Sequence, residues 1–145
     1  MRKYNIYYIV IMNQLEDICL ETREDLITLL KNNQYDFIMI KFWAEWCKPC
    51  KVIKPFVEDM LNKKFKDLNE KQRNNAFLYI DANVDECCDL YSFLKQKKRI
   101  NGIPAVFLYS KKIIEQMEPE HMYIPHASVS GSNTSGIQKL FDCII

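Results

Sequence analysis

No apolar run in the 145-residue sequence reaches the ~18 residues that a membrane-spanning helix requires. Nor does either charge dominate: 20 Lys and Arg stand against 19 Asp and Glu, for a formal net charge of +1. Nucleic acid favours a strongly basic face and is not an expected partner. Two local basic clusters occur, Lys63, Lys64 and Lys66, then Lys95, Lys97, Lys98 and Arg99. Both fall at expected helix ends and read as solvated faces. The chain has no internal repeat and no compositional break marking a boundary, so its length points to a single domain over 1–145.

Met1-Arg2-Lys3 precedes a short apolar stretch, Ile6 to Met12, as a secretory leader would. Tyr7 and Tyr8 interrupt it, however, and Asn13, Gln14 and Glu16 follow without a small-residue cleavage site. Its β-branched and aromatic content suits a strand, so residues 1–14 read as an N-terminal extension that adds a strand. A cytoplasmic, reducing compartment without membrane attachment is the expectation.

The six cysteines are Cys19, Cys47, Cys50, Cys87, Cys88 and Cys143. Their spacing is irregular, and a domain of this size buries a core without disulfide staples. A Cys-x-x-Cys inside a βαβ pattern then reads as redox or metal chemistry. The adjacent Cys87 and Cys88 are poor substitutes for a second Cys-x-x-Cys, and His121 and His126 lack the spacing of a metal pair. No metal and no bound cofactor are expected. Cys87 and Cys88 open a predicted helix, so one should be buried and the other exposed. Cys19 and Cys143 fall among apolar neighbours and read as core.

Thr22 followed by Glu24 and Asp25 begins a helix over about 22–32, which Asn32-Asn33 closes. Phe37 to Trp43, nearly all apolar, suits a strand buried on both faces. Val52, Ile53, Phe56, Val57, Met60 and Leu61 then recur at helical spacing, giving a helix from the cysteine motif to about Phe65 with Pro55 as a kink. After a break at Asn74-Asn75, Ala76 to Asp81 reads as a second central strand. Asp85 to Lys97 reads as a helix with Asp85 near its cap, and Ala105 to Tyr109 as a third strand. Ser110-Lys111-Lys112 turns into another extended piece, and Ile137 to Ile145 closes the chain as a helix. The alternation predicts an α/β sandwich.

The chemistry sits between the first central strand and its helix, in Trp46-Cys47-Lys48-Pro49-Cys50. At a helix N-terminus Cys47 meets unpaired backbone N–H groups and the positive end of the dipole, and both favour thiolate, the nucleophile of disulfide exchange. Cys50, three residues on, can attack a mixed disulfide formed at Cys47. Pro49 suits a first helical turn, where its missing N–H costs nothing. Lys48 adds a positive charge, and Trp46 offers a flat surface on which a substrate peptide can rest.

The stretch FWAEWCKPCKVIKPF, residues 42–56, resembles the active-site segment of thioredoxins. The likeness extends to Tyr79-Ile80-Asp81, to Gly102-Ile103-Pro104 and to Val129-Ser130-Gly131-Ser132-Asn133 before the last helix. It implies a thioredoxin fold, a central mixed β-sheet with helices on both faces, here carrying an extra N-terminal strand and an enlarged loop before the last strand. It also implies a cis Pro104 facing the cysteines, with the backbone of Ile103 pairing with an extended substrate. The implied activity is thiol–disulfide oxidoreduction, Cys47 attacking and Cys50 resolving. The implied partners are disulfide-containing proteins and a dithiol donor that regenerates the pair.

Two departures from the family pattern stand out. Lys48 replaces the usual glycine, and Lys41 replaces a buried Asp six residues before the first cysteine. Lys41 is expected to snorkel to the surface; otherwise it sits near the site and perturbs the thiol pKa values. Either way the acid that, by the resemblance, assists proton transfer from the resolving cysteine is absent, and Glu45 or water would have to substitute. Residues 110–129 carry an insertion that could rim the active-site face. A binding module of the same fold, with little turnover, is the reading from another functional class, and a more oxidising exchange protein is the alternative within the enzyme reading.

Overall fold

The structure, a computed structural model, describes residues 5–9, 18–31, 34–70 and 77–145. The breaks expected at Asn32-Asn33 and Asn74-Asn75 lie outside them. The apolar FIMIKFW run forms β2 (Phe37–Trp43), the middle strand of the sheet. β3 (Phe77–Asn83) lies parallel to it on one side, and β4 (Ala105–Ser110) antiparallel on the other. β1 (Asn5–Ile9) pairs antiparallel with β3, and β5 (Ala127–Ser130) antiparallel with β4. The strand order is thus β1-β3-β2-β4-β5, a mixed sheet.

Because both faces of β2 and β3 are apolar, each takes a layer of helices. On one face α1 (Arg23–Lys31) and α3 (Cys88–Gln96) set Leu26, Leu29, Leu30, Leu90 and Leu94 against Ile38, Ile40, Phe42, Leu78 and Phe107. On the other, α2 (Lys48–Glu70) and α5 (Thr134–Asp142) bring Ile53, Val57, Leu61, Ile137 and Phe141 onto Met39, Tyr79 and Leu108. Each such side chain contributes about 1.5–3 kcal/mol relative to exposure. α2 passes the expected end at Phe65 because Leu68 continues the same buried stripe. Pro55 lies inside this helix on its exposed side.

Three local expectations change. Lys111 and Lys112 are helical, in the short α4 (Lys111–Ile114), not extended. The Lys111 N–H donates to the Asp36 carbonyl at 2.9 Å where β4 ends, and the turn tucks Ile114 into the core. α3 starts at Cys88 with Cys87 at the N-cap, so Asp85 does not cap it; residues 84–86 form a turn that closes through Glu86 N–H to Asn83 O. Cys19 and Cys143 are exposed rather than core, since their neighbours Leu20 and Ile144 take the inward positions.

Candidate active site

The chain leaves β2 at Trp43, turns through Ala44 to Trp46 and enters α2 at Lys48, which puts Cys47 at the helix entrance. The Cys47 carbonyl accepts from Lys51 N–H at 3.4 Å, and the Cys50 N–H points back to Cys47 Sγ at 3.2 Å. Cys47 Sγ therefore holds the place that a hydroxyl or carboxylate oxygen holds in an N-cap, facing the free amide of the third helical residue. A negative charge on that sulfur would be met by an N–H, by the helix dipole and by a first turn with no acidic residue. Cys47 and Cys50 are joined by a disulfide, with their Cα atoms 5.3 Å apart.

A second loop meets the pair. The Ile103–Pro104 peptide bond is cis, and the Ile103 carbonyl oxygen lies 3.7 Å from Cys47 Sγ. The far side of this loop is held by Gly131, whose N–H donates to the Pro104 carbonyl at 2.8 Å. Gly131 has φ +74°, a conformation that glycine adopts without penalty, at the turn after β5. Both cysteines are buried, while Lys48 and Pro49 are exposed beside them. Trp46 is 66% exposed, and its Nε1–H donates to Asp85 Oδ2 at 3.0 Å. Val52, 69% exposed on α2, adds a second apolar side chain on the outer surface of the helix.

Lys41 does not reach the surface. Its side chain is 5% exposed, and Nζ lies 3.2 Å from Oδ1 of Asp81, itself 8% exposed. The two are direct partners in the parallel β2–β3 register, so neighbouring strands present the charges side by side. The Tyr79 hydroxyl donates to the same Oδ1 at 2.8 Å. Beside the pair lies a cavity of about 110 Å³ lined by Lys41, Trp43, Glu45, Cys50, Lys51, Lys54 and Asp81. Lys41 and Glu45 are thus brought to the side of Cys50.

Other sequence candidates lie away from this centre. Cys87 is buried and Cys88 exposed. The cluster at Lys63 to Lys66 is a solvated face, with Lys63 bonded to Asp59 at 2.9 Å and Lys64 to the Ile144 carbonyl at 2.9 Å. In the second cluster, Lys95 lies over the Tyr91 ring and Lys97 over those of Phe93 and Tyr123. The 110–129 insertion leaves β4 at Ser110, the end of the strand away from Pro104. It packs Ile114 and Met122 into the α1–α3 side of the core, and none of its residues lines the cavity beside Cys50. Asp81 and Asp85 were not legible as site residues: the sequence marks Asp81 as a strand end within the family-like Tyr79-Ile80-Asp81, and Asp85 as a cap. Their roles depend on strand register and on how the turn after β3 meets Trp46.

A family model described as thioredoxin matches residues 20–122. The thioredoxin of Buchnera aphidicola subsp. Schizaphis graminum is 33% identical over 73 residues, 50% of this chain and 56% of that protein. Human thioredoxin is 44% identical over 55 residues, covering 38% of this chain and 43% of its own length. The chain thus spans about half the length of the curated relatives it matches. A solved Plasmodium falciparum thioredoxin superposes with a TM-score of 0.56 at 21% identity, covering 87% of this chain and 97% of that one. A Fasciola hepatica thioredoxin does so with a TM-score of 0.55 at 20% identity, over the same shares. Matched across most of its length, and carrying its cysteine pair at a helix entrance against a cis proline, the chain belongs to the thioredoxin family.

Proposed function

We propose that the protein is a thiol–disulfide oxidoreductase that reduces protein disulfides by cycling Cys47 and Cys50 between dithiol and disulfide. The observation that carries this reading is the Cys47–Cys50 disulfide at the entrance of α2, with Cys47 Sγ beside the Ile103 carbonyl. In the reduced state the Cys47 thiolate attacks a substrate disulfide, releases one substrate thiolate and becomes joined to the other half. Cys50 then attacks Cys47 Sγ, closes the internal disulfide and releases the second substrate thiol. Two electrons pass from the pair to the substrate, so no bound cofactor is needed.

The substrate chain rests on Trp46, Lys48 and Pro49 and pairs with the backbone of Ile103 next to Pro104. The exposure of Trp46, Lys48 and Pro49 supports this placement, as does the Asp85 bond that holds the indole in position. Lys41 and Glu45, both on the Cys50 cavity, modulate the thiol pKa values through their charges. The partners are disulfide-containing proteins and a dithiol reductase that returns the pair to its reduced form. A reducing cytoplasmic compartment suits this cycle, and no helix among the described residues is long and apolar enough to cross a membrane.

Insulin-disulfide reduction with dithiothreitol as donor tests the reading. The wild type is expected to turn over, Cys47→Ser to be inactive, and Cys50→Ser to accumulate mixed disulfide. Turnover that survives in Cys47→Ser would rule the mechanism out. Lys48, next to Cys47 in a helical turn without acidic residues, favours a second emphasis. By stabilising the reduced thiolate it shifts the pair toward oxidising exchange, which equilibration with a glutathione redox buffer measures directly.

A further inference from the structure

Burying two charges is costly, and a buried ion pair seldom repays its desolvation. Lys41 and Asp81 form such a pair, and the cycle above makes no use of Asp81. Its position is informative. The cavity beside the pair is lined by Cys50 but not by Cys47. At about 110 Å³, with polar groups on several sides, it has room for water. Trp43 lines it too, and its buried Nε1–H makes no hydrogen bond to any of the described residues.

We propose that Asp81 is the proton acceptor for Cys50 in the resolving step, acting across this cavity with Lys41 beside it. The proposal rests on the dithiol reading above and adds a residue to it. Once Cys47 is tied to substrate, the Cys50 thiol gives its proton to the Asp81 carboxylate, directly or through water in the cavity. The Cys50 thiolate then attacks Cys47 Sγ. The new sulfur–sulfur bond forms as the bond from Cys47 to the substrate sulfur breaks, and the substrate leaves as a thiolate that takes a proton from solvent. Before the transfer Lys41 faces a carboxylate and a thiol; afterwards it faces a carboxylic acid and a thiolate. The charge inside the cavity is unchanged, and the ammonium attracts whichever anion is present. The other groups facing the site are Tyr79 from β3, Glu45 from the turn before α2, and Lys51 and Lys54 from α2. Cys47, activated at the helix entrance, needs no help from Asp81.

Stopped-flow mixing of excess reduced protein with 5,5′-dithiobis(2-nitrobenzoate) separates the two steps, since each releases one thionitrobenzoate. Asp81→Asn is expected to slow the second release roughly 100-fold at pH 6, with the gap closing as pH rises and Cys50 ionises unaided. The first release should stay within about twofold of wild type. The exchanged variant Lys41→Asp/Asp81→Lys returns a carboxylate to the same cavity and should regain roughly tenfold or more of the lost rate. Should Asp81→Asn not fold, Lys41→Gln/Asp81→Asn, which leaves no charge unpaired, gives the same comparison. The proposal is overturned by a second release equal to wild type at every pH, or by both releases falling together without pH dependence. It is equally overturned if Glu45→Gln produces this pH-dependent loss of the second release and Asp81→Asn does not. A wild type with no first release would remove the dithiol reading and this proposal with it.

Discussion

Cys87 and Cys88 share a peptide bond but not an environment. Burial, reinforced by Cys88 and the carboxylates of Glu86, Asp85 and Glu21, pushes the Cys87 thiol up to about 12. Cys88 is exposed at the first position of α3. Iodoacetamide at pH 8 should therefore label Cys19, Cys88 and Cys143 in the native oxidised protein, and Cys87 only after unfolding, as peptide mass spectrometry would show. The Lys41–Asp81 pair leads to a stability prediction at the same scale. Lys41→Met strands a buried carboxylate and should cost about 3–5 kcal/mol in urea unfolding, whereas Lys41→Met/Asp81→Leu should recover most of that loss. The Cys47–Cys50 pair was legible in the sequence because its spacing is local, whereas the cis bond at Pro104 was legible only through the family resemblance. Lys41 was misread because its partner lies 40 positions away, on a strand whose register the sequence does not print.

Among the elements, α1 shows how a short polar segment sets a boundary. The Thr22 hydroxyl accepts from Asp25 N–H at 3.1 Å, while Asp25 Oδ2 accepts from the N–H groups of Glu21 and Thr22 at 2.9 and 3.0 Å. This is a reciprocal cap, visible beforehand as Thr22 followed three residues later by an acid. Burial raises the Asp25 carboxyl, but the N–H groups of Glu21 and Thr22, with Cys19 and the Thr22 hydroxyl, more than offset it, and the net shift is downward. A carboxyl with a depressed folded-state pKa contributes stability above its unfolded value, and that contribution is lost as pH falls through the folded one. Asp25→Ala should therefore be less stable than wild type at neutral pH. The difference should shrink below about pH 4 in thermal melts followed by circular dichroism. At the end of β5 the constraint is on the backbone. An added Cβ at Gly131 meets nothing within 4 Å, so Gly131→Ala should cost only the left-handed strain, about 1–2 kcal/mol. α4 was the element the sequence concealed, because its four residues become helical only through the Asp36 contact and the burial of Ile114.

Across the whole molecule, the sheet has two ends with different uses. The cysteine pair, Trp46 and Pro104 gather where β2 finishes and β4 begins, while the insertion starts where β4 finishes. The Tyr109 hydroxyl of β4 donates to the carbonyl of Tyr123, in the insertion, at 2.7 Å, and Tyr123 packs edge-on against Phe93 at 5.1 Å. The insertion is thus part of the core wall rather than a loose rim. Trp46→Ala and Val52→Asp should each raise KM for insulin severalfold, whereas Glu120→Lys, an exposed change in the insertion, should leave turnover at the wild-type rate. The layered α/β plan could be read from alternating apolar runs. The direction the insertion takes could not, because it depends on which end of β4 the chain leaves.

That separation has a practical side. A surface that contributes no side chain to the cavity beside Cys50 can be tethered, tagged or grafted without altering that cavity's lining. Polar positions of the insertion, such as Glu118 and Glu120, are natural points for immobilisation on a bead or an electrode. A protein anchored there would leave the cavity beside Cys50 clear of the tether, since no residue of the insertion lines it.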